Sequence, residues 1–181
     1  MPTKVVDYYG EGSNFGANIT YVYQGKARGL ADTVYRVKDV DSDRFLVYLG
    51  DNLIPYDLKK FVDFKGSASI LLAKVENPNR FGAAVIKDGN LVKLVEKPKE
   101  PISEYAVVGG LCFHQGSILH HIEVKPSWRG ELEINYAIQG LITRGRKLIM
   151  KLLTAGGRTT GHRGTYSRLT SFCWSITPRG G

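Results

Sequence analysis

Asp51 closes the apolar run VYLGDN. A carboxylate at the end of a buried strand can hold a divalent cation against a phosphate, because Mg²⁺ takes a few carboxylates and fills the rest of its shell with phosphate oxygens. An Asp there can equally cap the next turn, and position alone leaves the two readings balanced. In QGKARGLADTV, Gln24 stands in a loop and Gly29 at a helix start. An amide can pair with a base edge, and glycine lets backbone N–H groups approach a ligand; many loops share this pattern. Glu96-Lys97-Pro98 ends an apolar segment. Glu accepts from sugar hydroxyls and Lys meets a phosphate as a point charge, but without context a solvated surface pair is the simpler reading. Arg129-Gly130-Glu131 reads as a loop entering a helix, with the acid near the helix N-terminus. His114, His120, His121 and His162 form no ligand set, and Cys112 and Cys173 lack metal-ligand spacing, as expected of reduced thiols. The GxxxxGK phosphate loop, the GxSxG elbow and HExxH are all absent from the sequence.

These residues need elements to place them. Residues 18–23 (NITYVY) alternate like a strand, and residues 29–40 put Leu30, Val34 and Val37 on one helical face. RFLVYLGDN and ASILLAKV have the near-continuous apolar character of buried parallel strands. YDLKKFVDF is a short amphipathic helix. Residues 81–98 form a hairpin, with Asp88-Gly89 supplying the positive φ of a tight turn. YAVVGGLCF is a further strand, and residues 131–145 form a helix with Ile134, Ile138, Leu141 and Ile142 on its apolar side. Alternating strands and helices predict an α/β layered domain with a largely parallel sheet, whose ligands sit beyond the carboxyl ends of strands.

At 181 residues and 43% hydrophobic content, the chain can build one real core. It holds no apolar run of membrane-spanning length, and residues 1–12 show no signal-peptide core, so a cytoplasmic protein away from membranes is expected. The net charge is +8, yet from Lys151 onward stand five basic residues and no acid, leaving 20 basic against 17 acidic. A body so mildly basic suits a phosphate-rich ligand and needs no nucleic-acid partner. Oligomeric state is open.

In order, GEGSNFG, YVYQGKARGLADTV, FLVYLGDNLI, NRFGAAVIKDGNLVKLVEKPKEP, YAVVGGLCF and KPSWRGELEINYAIQGLI resemble the sugar-1-phosphate nucleotidylyltransferase family, over about residues 9–145. The resemblance implies a Rossmann-like core with a mostly parallel sheet. It also implies Mg²⁺, and nucleotidyl transfer from dTTP or UTP to a sugar 1-phosphate such as glucose 1-phosphate, with release of pyrophosphate. It assigns Gln24 and Gly29 to the base, Asp51 to the nucleotide and its metal, and Gly82, Glu96, Lys97 and Val108 to the sugar phosphate. The family's opening G-x-G-T-R-L loop, with its catalytic Arg and later Lys, is not in this sequence. Asn135-Tyr136 stands where the family has Thr-Asp. The expectation is therefore a core lacking its first βα units, with no catalytic residue assigned and the 181-residue chain inactive. The alternative is a non-catalytic sugar-phosphate-binding remnant or a pseudogene product.

The ending, TAGGRTTGHRGTYSRLTSFCWSITPRGG, has no acid and no hydrophobic period. Read one nucleotide back, residues 155–174 can encode a series resembling the family's GWWKDTGKPEDLLEANRLLL, with the family's second metal-binding Asp at Thr159. The expected organisation is a partial nucleotidylyltransferase domain over residues 1–145 and an out-of-frame, poorly structured tail over residues 146–181.

Overall fold

Two adjacent strands organise the molecule. In the computed structural model, which describes residues 3–39, 43–50, 54–114 and 125–153, β2 (Ala68–Lys74) lies against β5 (Tyr105–His114) in antiparallel register. Both are buried on two faces, and the side-chain alternation sorts their residues. Ile70, Leu72, Leu111 and Phe113 enter one hydrophobic cluster, while Leu71, Val108 and Cys112 enter another on the opposite face. The first is covered by α2 (Leu30–Tyr35) through Ala31 and Val34 and by α4 (Ile134–Thr143) through Ile134, Ala137, Ile138 and Leu141. The second is covered by α3 (Leu58–Val62) and the residues after it, through Phe61 and Phe64. Asp57 caps α3 by accepting the Lys59 N–H. The layered α/β core expected from the sequence is present.

The strand directions refine that expectation. The sheet runs in the order β4 (Asn90–Glu96), β3 (Gly82–Lys87), β5, β2 and β6 (Leu148–Leu153), with β1 (Arg44–Tyr48) also on β5. β1, β2 and β3 all run against β5, and β6 runs parallel to β2. Four strands thus share one direction while β5 and β4 run the other way, so the sheet is mixed. Consequently β2–β6 is the one parallel pairing among the described strands, and the expected parallel ladder is corrected in that respect. β4 completes the hairpin with β3, and its turn has Asp88 and Gly89 at φ 49° and 72°, as the turn chemistry predicts.

Two further expectations are corrected. Residues 18–23 alternate but form no strand, because they pair with none of the described strands. Residues 148–153, placed by the sequence reading in an unstructured tail, pair with β2 from Ala68↔Leu148 to Ala73↔Leu153. LIMKLL alternates between the faces: Leu148 and Met150 join one cluster, Ile149 and Leu153 the other. The chain is delivered there by the end of α4, where Gly145 (φ 66°) donates to the Ile142 carbonyl and Arg146 to that of Leu141. The rest of the expected tail, residues 154–181, lies outside the described residues. A short helix, α1 (Thr3–Tyr9), precedes residues 18–23, and its Tyr9 ring packs at a tilt against Phe15.

Candidate functional site

One edge of β5 is paired along its length with β2; the other is shared end to end by β1 and β3. β1 reaches Gly110 through Tyr48, and β3 starts its pairing at Ala106 through Ala83. The carboxyl end of β1 therefore faces the amino end of β3 across residues 107–109. β5 is bulged here: between the Ile70↔Leu111 and Leu72↔Val107 pairs, β2 advances two residues and β5 four. Gly109 takes φ 41°, and its carbonyl accepts the Leu49 N–H at 3.1 Å. Asp51 follows this strand end and lies outside the described residues.

At the β3 end the structure gathers four polar or small residues. Gly82 pairs with Glu96 across the hairpin. Lys97, next to Glu96, holds a left-handed φ of 39° and donates its N–H to the Phe81 carbonyl at 3.0 Å; a non-glycine residue there carries backbone strain. Asn135, in the first turn of α4, donates from Nδ2 to Glu96 Oε2 at 2.6 Å. A Cβ added at Gly82 would fall onto that amide, within 2.7 Å of its Cγ. Gly82, Glu96 and Lys97 are thus together, whereas Val108 packs in the cluster on the other face of the sheet, with Phe61, Phe64, Leu71 and Cys112. Glu133, just before α4, is buried and takes the Ser127 hydroxyl at 3.0 Å. Burial, and next the charge of Glu96, push its carboxyl above the usual range; Ser127 and Arg129 oppose this.

Gln24 and Gly29 belong to a neighbouring cluster. Gln24 is buried, and its Nε2 donates to Asp32 Oδ2 at 3.1 Å and to the Gly29 carbonyl at 3.3 Å. Asp32 also accepts from Arg28 at 2.5 Å and Arg36 at 3.2 Å. Burial pushes the Asp32 carboxyl up, but the bonds from Arg28, Gln24 and Arg36 outweigh it and hold it below its ordinary value. At Gly29 (φ 110°) a Cβ would stand 2.5 Å from the Leu132 carbonyl oxygen. The glycine is required by that backbone contact, which Leu132 N–H to Arg28 and Ala31 N–H to Leu132 lock at 2.7 and 2.9 Å. Residues 132–135 therefore touch both clusters: Leu132 seats on Gly29 and Asn135 on Gly82. Sequence reasoning noted Asn135 as a departure and gave Asp32 and Leu132 no role. The available signal was two glycines, Gly29 and Gly82, outside any tight turn.

Among the described residues no three His, Cys, Asp or Glu side chains cluster as a metal site. Mg²⁺ held by one carboxylate and phosphate oxygens needs no such cluster. Among the described residues no helix is long and apolar enough to cross a membrane.

A family model for nucleotidyl transferases matches residues 2–157. The low-salt glycan biosynthesis nucleotidyltransferase Agl11 of Haloferax volcanii is 38% identical over 164 residues, covering 87% of this chain and 46% of its own length. A glucose-1-phosphate thymidylyltransferase of Streptomyces griseus is 35% identical over 165 residues, covering 88% of this chain and 46% of its own. The chain thus spans about half the length of these curated relatives. A crystal structure assigned to a glucose-1-phosphate thymidylyltransferase from Bacillus anthracis, in complex with sucrose, superposes with a TM-score of 0.77 at 36% identity, over 90% of this chain and 68% of that one. A UDP-glucose pyrophosphorylase complexed with UDP-glucose, at 20% identity and a TM-score of 0.63 over 83% of this chain and 65% of that one, shares the fold.

Proposed function

The chain belongs to the nucleotidyl transferase family, and from that premise we propose that it serves the transfer of a thymidylyl or uridylyl group to a sugar 1-phosphate, with glucose 1-phosphate as the reference substrate. A phosphate oxygen of the sugar phosphate attacks the α-phosphorus of dTTP or UTP. The bond from that phosphorus to the bridging oxygen breaks, and pyrophosphate leaves. In this reading Glu96 accepts sugar hydroxyls, Lys97 neutralises the sugar's phosphate, Gly82 leaves room beside them, Val108 backs the strand from its other face, and Gln24 and Gly29 lie toward the base. Asp51 is the carboxylate for Mg²⁺, whose bound charge offsets that developing on the phosphates. Transfer of this kind rests on positioning and charge neutralisation.

The observation that carries the reading is the meeting of Gly82, Glu96 and the strained Lys97 at the amino end of β3, which faces the carboxyl end of β1 across residues 107–109 of β5. Calorimetry of the full chain with glucose 1-phosphate tests it. Binding is expected, and Glu96→Ala is expected to weaken it about tenfold or more, as loss of a charged hydrogen-bond acceptor does. No binding by the unaltered chain, or binding indifferent to Glu96, would sink the assignment. A pyrophosphate-release assay with dTTP or UTP and Mg²⁺ then separates transfer from binding alone.

A further inference from the structure

Asn135 is buried, yet its side chain has work on one side only. Nδ2 holds Glu96 Oε2, while Oδ1 is buried with no hydrogen-bond partner. Buried side-chain oxygens are rarely left so. The amide occupies the space that a side chain at Gly82 would fill, so residue 82 is bare where Asn135 needs a seat. Glu96, itself half-buried, also shares its surroundings with a buried acid, Glu133, whose carboxyl is raised by burial and then by Glu96. Two carboxylates so placed push each other apart, and a carboxylate at a strand end is free to swing toward water unless a donor holds it.

We propose that Asn135 is a positioning residue for the sugar subsite: seated on Gly82, its amide fixes one oxygen of Glu96 so that the other faces a ligand hydroxyl. This rests on the sugar-phosphate reading of Glu96 given above. The ligand chemistry is that of a polyhydroxylated sugar phosphate, and the contribution of Asn135 is to recognition of the sugar and not of the phosphate. That split makes it testable, because inorganic phosphate contains the anion without the hydroxyls.

The experiment is calorimetry of the full chain with glucose 1-phosphate and with inorganic phosphate. Asn135→Ala is expected to weaken glucose 1-phosphate binding about tenfold or more, with phosphate binding changed by less than about twofold. Asn135→Asp keeps the shape and removes the donor, so it is expected to lose the sugar phosphate at least as fully. Gly82→Ala, which evicts the amide, is expected to reproduce the loss. Equal losses for both ligands, or full sugar-phosphate affinity in the Asp variant, would overturn the proposal. Absence of glucose 1-phosphate binding by the unaltered chain counts instead against the proposed function. The clamp is then judged by a thermal-melting cycle over Asn135→Ala and Glu96→Gln. Non-additive effects uphold the contact, and additive ones overturn it.

Discussion

Asp32 and Glu133 are both buried acids, but their surroundings push them in opposite directions. Asp32 receives Arg28, Gln24 and Arg36, which together outweigh the effect of burial and lower its folded-state pKa. Such a group stabilises the fold above its unfolded value, and that contribution is lost as pH falls through the lower folded value. Asp32→Asn is expected to cost about 1–3 kcal/mol at pH 7, with the gap to the parent closing below about pH 4. Urea unfolding at both pH values measures this. Glu133 has the opposite sign. As pH rises past its unfolded value, near 4.3, the unfolded chain releases the proton first and the folded state loses stability until the raised value is passed. Glu133→Gln, which keeps an acceptor for Ser127, is expected to equal the parent at pH 3 and exceed it at pH 7. A parent that gains on the variant over that range would contradict the placement. Neither acid was singled out in the sequence as a site residue, because burial and partners such as Ser127 or Arg36 are properties of packing. Glu96 and Lys97, read locally as a solvated surface pair, were assigned to the site by the family resemblance alone.

At the scale of elements, what was legible follows the range of the forces involved. Asp88-Gly89 determines its hairpin within a few residues, and α4 shows its apolar stripe by spacing alone. Residues 18–23 have the alternation of a strand, but a strand exists only with a paired edge, which no periodicity reports. β6 is the converse case: KLIMKLL abuts a glycine-rich stretch, and only the exposed edge of β2 makes it a strand. A chain ending after Lys147 is therefore expected to be less stable than one ending after Leu153 by more than about 2 kcal/mol, the scale of burying one large aliphatic side chain. Equal midpoints in urea would return β6 to the unstructured tail. The contact of Asn135 with Gly82 was beyond reach for a related reason: the residues lie 53 positions apart, and their meeting depends on where α4 crosses the hairpin.

At the scale of the whole molecule, the α/β layering was readable from the order of segments, whereas the reversal of β5 was not, since apolar runs carry no direction. That reversal places β1 and β3 on one edge of β5, so the candidate site lies between segments brought together by long chain closures. Pairings of this kind form late, after the entropy of closure has been overcome. The juxtaposition of the carboxyl end of β1 with the amino end of β3 is therefore expected to take shape late along the folding path. A ligand that fits it has nothing to hold until the last strands are in register. Glucose 1-phosphate is accordingly expected to leave the refolding rate unchanged and to lengthen the lifetime of the native state, by up to about a hundredfold at a hundred times its dissociation constant. Stopped-flow traces in which only the unfolding arm moves would show that the molecule recognises its ligand with the part of itself that it completes last.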